Sequence, residues 1–184
     1  MATGATPYHL LITLSDVDRS VYAELDLRPA RHPSESMRYF VTRAIAYALS
    51  YEDGIAFSRE GISSTDEAPV SVRDPTGSLV AWIDVGSPSA DRLHKASKAA
   101  RRVAVFTHVE PALLRKEAQT RPIHKLDAID VWRIESTFLD ALAERFERTT
   151  RMELVRTDGN LYATIGGKTI EGTLERVALA ERES

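Results

Sequence analysis

The chain begins with two segments that carry a strand pattern. Tyr8–Ser15 is a short apolar run, and Ser20–Leu27 alternates Val21, Ala23, Leu25 and Leu27 with polar neighbours. Two-residue periodicity predicts half-buried strands, and the polar Asp16–Arg19 between them predicts the turn of a hairpin. The period then changes. Met37, Phe40, Val41, Ala44, Ile45, Ala48 and Leu49 recur at three- and four-residue spacing, which predicts a helix over Ser34–Tyr51 with one face in the core. Pro33 precedes it, Ser34 is the expected N-cap, and Gly54 ends the segment.

Further along, Ile55–Phe57 is a short strand candidate and Arg59–Glu67 is polar loop. Pro69–Arg73, the turn Asp74-Pro75-Thr76-Gly77 and Ser78–Val85 predict a second hairpin. Ser87 is the expected cap and Pro88 the first residue of a helix running to about Arg101. Val103–Thr107 reads as a buried strand, so the segment from Ser78 to Thr107 predicts a parallel strand–helix–strand crossover. Pro111–Gln119 and Ser136–Arg148 read as helices, the second with Phe138, Leu139, Leu142 and Phe146 inward. Ala128–Ile134 reads as a strand. Arg151–Arg156 and Leu161–Ile165 flank Asp158-Gly159, a strong hairpin signal. Gly166-Gly167 reads as a turn. Residues 1–6 and 174–184 are expected to be flexible ends of one domain spanning residues 1–184.

Composition narrows the picture. The chain has 184 residues, 43% hydrophobic and 28% charged, enough for a core without staples. It has no cysteine, which removes disulfides, thiolate zinc sites and cysteine nucleophiles. No stretch approaches the roughly 20 apolar residues of a membrane span, and no signal-peptide pattern opens the chain. A cytoplasmic protein without a membrane partner is expected. The net charge of −3, from 24 basic and 27 acidic residues, argues against generic polyanion binding but leaves room for a local basic patch. Oligomeric state is not fixed by the sequence, and a monomer is the working expectation. Walker, GxGxxG and HExxH motifs are absent.

The candidate chemistry centres on Asp84. In Leu79–Val85, Leu79, Ala81, Ile83 and Val85 fall on one face, and Val80, Trp82 and Asp84 on the other. Asp84 therefore continues an apolar row at the carboxyl end of a strand, where open α/β sheets commonly bind ligands. If Asp74 faces Gly77 across the turn, Asp84 lies opposite Glu67, with Cβ atoms roughly 5 Å apart. Two such carboxylates call for a proton, a basic side chain or a cation, and magnesium suits oxygen ligands of this kind. Lys95 and Lys98 flank the inner stripe of the following helix and can reach back toward a phosphate. A turn or cap role accounts for Asp84 about as well, and a solvated loop position accounts for Glu67 and Asp66. The helix dipole alone accounts for Glu35.

Several short motifs, in order, resemble the YaeQ family of bacterial proteins. They are His32-Pro33-Ser34-Glu35, Asp66-Glu67 before Pro69, Trp82-Ile83-Asp84-Val85-Gly86 with Pro88, Lys95-Ala96, Lys116-Glu117-Ala118 and Asp158-Gly159. The resemblance implies an α/β (α+β) fold: a mixed β-sheet flanked by helices, with a PD-(D/E)XK nuclease-like core and added β-hairpins. It also implies a magnesium- or manganese-dependent phosphodiesterase of nuclease type acting on nucleic acid. Asp84, Glu67 (or Asp66) and Glu35 would hold the metal. Lys95, with Lys98 in reserve, would support the attacking water, and Arg92 and Lys98 would meet the substrate backbone. Gly86 stands where the family of nucleases has its lysine. A non-catalytic nucleic-acid- or protein-binding module with the same fold, linked to transcription, is the alternative. A small-anion or nucleotide binder at the helix start after Gly86 is a third.

Overall fold

The computed structural model describes residues 4–59 and 64–180. The strands are β1 (Thr6–Pro7), β2 (His9–Asp16), β3 (Val21–Leu27), β4 (Ala30–Arg31), β5 (Ile55–Phe57), β6 (Val70–Arg73), β7 (Leu79–Val85), β8 (Arg102–Thr107), β9 (Asp130–Ile134), β10 (Thr149–Thr157), β11 (Asn160–Ile165) and β12 (Lys168–Val177). The helices are α1 (Met37–Leu49), α2 (Ala90–Ala99), α3 (Pro111–Ala118) and α4 (Ser136–Ala143). Ten strands form one mixed sheet in the order β3-β2-β10-β11-β12-β9-β8-β7-β6-β5. A large mixed sheet flanked by helices is thus the architecture, as the sequence predicts. No helix among the described residues is long and apolar enough to cross a membrane.

The three hairpins form where the alternation and turn signals place them, and β7, β8 and β9 pair in parallel through the α2 and α3 crossovers. Two cores result. Ala81, Ile83 and Val85 join α1 and α4 in the larger one. Trp82, Val103 and Val105 join Leu93 and Ala96 of α2 in the other.

The helix starts differ from expectation. Ser36, not Ser34, caps α1, its hydroxyl accepting from the Tyr39 N–H at 3.1 Å. The Ser34 hydroxyl is taken up instead by His32 Nδ1, 2.7 Å away. Ser89, not Ser87, caps α2 and accepts from the Arg92 N–H at 3.2 Å, so Pro88 lies outside the helix. Helix α4 stops at Ala143, though Phe146 remains buried.

The two expected loose ends are also partly ordered. Thr6 pairs with Arg31. Strand β12 was not predicted, and it carries Leu174 and Val177 into the core. Its inward row is Ile170, Gly172 and Leu174, and glycine at a core position hides the alternation among Glu171, Glu175 and Arg176. Lys168–Thr173 pairs with β11, and Leu174–Val177 with β9, so this strand joins the two halves of the sheet.

The β6–β7 register is shifted. Asp74 N–H bonds to the Ser78 carbonyl at 3.0 Å, and a bulge lies between Val72 and Arg73. Val70 faces Ile83 and Val72 faces Ala81, so continuing the ladder sets Pro69, not Glu67, opposite Asp84. The bulge also reverses the first two residues of β7. Leu79 packs on the α2 side and Val80 on the α1 side, opposite to the expected facing.

Candidate functional site

Asp84 stands at the carboxyl end of β7, only 2% exposed. A carboxylate this deep needs compensation. Arg92 supplies it from the first turn of α2, its Nε donating to Asp84 Oδ2 at 2.7 Å. Trp82, two residues back on the same face of β7, donates its indole N–H to the same oxygen at 3.0 Å. The Arg92 guanidinium lies 5.3 Å over the Trp82 ring and also donates to the carbonyls of Glu67 at 3.1 Å and Thr65 at 3.3 Å. One arginine thus ties the strand end, the helix start and the loop before β6 together.

Glu35 is equally buried, at 2%. It precedes α1 and turns back onto that helix, where Arg43 grips it with both ends: Nε to Oε2 at 2.9 Å and Nη2 to Oε1 at 3.1 Å. The His32 N–H adds a bond at 3.2 Å. Arg43 lies 5.3 Å from the ring centres of both Phe40 and Phe57. The position is therefore a buried fork-to-fork ion pair, not a carboxylate at a helix dipole.

Tyr39 connects the two pairs, and no sequence motif pointed to it. Burial first, then the negative charges of Asp84 and Glu35, push its hydroxyl up to about 12, while Arg43 and Arg92 oppose the shift. Both carboxylates and both arginines thus act on the titration of one hydroxyl.

Gly86 follows, with φ +84°, and a Cβ built on it would sit 3.5 Å from the Tyr39 ring. Left-handed backbone favours glycine, which gives a local reason why no lysine stands here.

The other expected residues lie apart. Glu67 turns away from Asp84 and accepts from the Ser58 hydroxyl at 2.9 Å. Lys95 is exposed and paired with Asp66, whose carboxyl is held below its usual range by that lysine. Lys98 is exposed on the next turn of α2. Among the described residues, no three acidic or histidine side chains gather closely enough to hold a metal ion. Asp84 and Glu35 both act on Tyr39, but each is already neutralised by its own arginine. As arranged, they do not fit a divalent cation.

What α2 does present is Lys98 on its exposed side, with Arg121 nearby but ion-paired to Asp91 of the same helix. His94 titrates below its usual value, through desolvation first and then through Arg121, Lys98 and His124, with Asp91 opposing. The His124 N–H donates to His94 Nδ1 at 3.0 Å, which fastens the loop after α3 to this helix. Lys98, His94, Arg121 and His124 therefore share one face, running away from the Asp84 end of α2.

Fold and site together define a mixed α/β protein with a buried, arginine-neutralised acidic centre at a strand end, beside a helix that carries ion-paired Lys95 and exposed Lys98. The chain belongs to the YaeQ family, whose model, described as YaeQ protein, matches residues 1–174. It is 27% identical over 172 residues to the uncharacterized protein YaeQ of Salmonella typhi, covering 93% of this chain and 94% of that one. To the counterpart from Escherichia coli (strain K12) it is 26% identical over 176 residues, covering 95% and 96%. Crystal structures of YaeQ proteins superpose closely. The one from Pseudomonas syringae gives a TM-score of 0.84 at 26% identity, covering 95% of this chain and 97% of that chain. The one from Xanthomonas axonopodis pv. citri gives 0.85 at 28%, covering 94% and 97%.

Proposed function

We propose that this protein engages a nucleic-acid backbone along α2, on a core resembling that of the PD-(D/E)XK nucleases, with its acidic centre held by arginines. The observation that carries this reading is the 2.7 Å bond from Arg92 Nε to Asp84 Oδ2. A buried carboxylate needs a compensating cation, and here a side chain of the protein fills that need. Support for the core comes from the order of elements: helix α1, hairpin β6–β7, helix α2 and parallel strand β8. Support for the ligand comes from the exposed Lys98 of α2, with Lys95 and Arg121 beside it in ion pairs that a phosphate could exchange, despite a net charge of −3.

Magnesium-dependent cleavage is the second reading. It is favoured by Asp84 ending β7 and acting, with Glu35, on the shared Tyr39. The two readings separate on titrating manganese into the intact protein while following its melting temperature. The binding reading expects no specific shift at millimolar ion. A saturable rise that disappears in Asp84→Asn favours the nuclease.

A further inference from the structure

The end of α3 and the segment after it run along one face of α2, and a seam of contacts stitches the two together. Glu117 of α3 accepts from the Ala90 N–H at 3.0 Å. Arg121 is paired with Asp91. The His124 N–H donates to His94 Nδ1 at 3.0 Å, and the Ser97 hydroxyl donates to the His124 carbonyl. Asp91, His94 and Ser97 follow one another at three-residue spacing, so they lie along one face of the helix. Residues 119–125 thus form a strap on α2, with Ile123 packed against the core that holds Trp82.

Closure of the strap is opposed by its own backbone. Lys125, at its end, has φ +50°. A non-glycine residue resists that left-handed region, so the seam must hold against strain. Of the side-chain types in the seam, only imidazole changes charge near neutral pH. A histidine nitrogen that accepts an N–H carries no hydrogen, so the neutral His94 ring has its hydrogen on Nε2. Protonation puts a second hydrogen on Nδ1, aimed at the His124 N–H. The acceptor becomes a donor and the bond is lost. The surrounding charges act in the same direction. Desolvation first, then Arg121 and His124 of the strap and Lys98 of α2, hold His94 below its usual 6.5. Asp91 opposes them and is itself paired with Arg121.

We propose that residues 119–125 are an acid-released strap on α2, with His94 as its latch. Above 6.5 the ring is neutral whether the strap is open or closed, and the bond to His124 is fully present. Below that value the open form takes up a proton that the closed form resists. Closure is therefore lost as pH falls from 6.5 towards the lower value of the closed form. One proton sets the steepness, so the closed-to-open ratio falls at most about tenfold per pH unit. Opening uncovers the Asp91–Ser97 face of α2, next to Lys98. The strap does not depend on the nucleic-acid reading, because its contacts form without a ligand.

The test is NMR of the intact, isotope-labelled chain from about pH 8 to about pH 5, across the histidine range. Ring nitrogen shifts read the protonation and tautomer of His94, and hydrogen exchange reads the protection of the His124 N–H. The Nε2–H tautomer is expected at the upper end. Protection at His124 should then fall with the His94 midpoint, while the amides of β8 stay protected. His94→Asn keeps an acceptor at the Nδ1 position without a titrating ring, and should hold the strap closed throughout. His94→Phe keeps a ring without the acceptor, and should show the low, acid-like protection at every pH. His124→Gln removes the other histidine and should leave the transition in place. The proposal is overturned if protection at His124 does not follow the titration of His94, if His94→Asn opens in acid as the wild type does, or if the transition vanishes in His124→Gln.

Discussion

Arg92 reaches from the first turn of α2 to the end of β7 and bonds Asp84 at 2.7 Å, so the two residues form a buried pair. This relationship sets the sign of a mutation. A carboxylate crowded by other carboxylates loses repulsion when truncated, and stability holds or rises. A paired one leaves a stranded guanidinium and a stranded indole N–H. Asp84→Ala should therefore destabilise the protein. Breaking a fully buried pair costs about 3–5 kcal/mol. Arg92 keeps 21% of its side-chain surface, so about 2–3 kcal/mol is expected here. Urea denaturation in metal-free buffer measures it, and an unchanged or higher midpoint contradicts the pairing.

Tyr39 should titrate last among the six tyrosines. Its folded value of about 12 lies above the usual 10.0. The folded state then holds a proton that the unfolded state has released, so stability falls as pH rises from 10 towards 12. This contribution is fully present below pH 10. Tyr39→Phe should flatten that part of the stability curve and remove the latest step of the ultraviolet tyrosinate titration. An unchanged curve would place the hydroxyl outside the influence of Asp84 and Glu35.

Gly172 sits where α4 crosses β12, and a Cβ there would meet the Phe138 Cβ at 2.5 Å. Gly172→Ala should cost about 1–3 kcal/mol through overpacking. Phe138→Ala should not rescue it, since the closest atom survives that truncation. Thermal unfolding of the single and double variants checks both statements. Restoration in the double variant would show that the ring, not the backbone approach, sets the constraint.

Lys95 and Lys98 lie along the exposed side of α2, and Lys95 is ion-paired with Asp66. Lys98→Glu should weaken oligonucleotide binding more than Lys95→Glu, because the Lys95 ammonium is already engaged by a carboxylate. Removing one phosphate-binding cation should reduce the salt dependence of log K by about 0.7–0.9. Fluorescence anisotropy across a salt series reads this slope, and an unchanged slope in Lys98→Glu would remove that residue from the interface.

Much of the fold was legible in the chain. The period changes at Ser20–Leu27 and Met37–Leu49 marked a hairpin and a helix that both exist. What escaped were features set by tertiary contact. Ser36 outcompeted Ser34 as cap because Glu35 is drawn back to Arg43. Strand β12 was masked by glycine at a core position. The bulge at Val72 moved the ladder two residues, which kept the facing of Asp84 but removed Glu67 as its partner. For the site, a charge ending an apolar row drew attention to Asp84. The arginine partners were not legible because each lies eight residues beyond its acid, on a helix that only tertiary folding turns back onto it, and Arg92 reads as a substrate contact.

The Lys98 side of α2, on the reading proposed here, holds a nucleic-acid backbone without help from a metal at Asp84. The direct measurement is anisotropy of a fluorescently labelled oligonucleotide with the intact protein in chelator, followed by addition of manganese and inspection of the strand for cleavage. Saturable, salt-sensitive binding in chelator and an intact strand after manganese are expected. Absence of binding in chelator, or cleavage on manganese addition that Asp84→Asn abolishes, would contradict it.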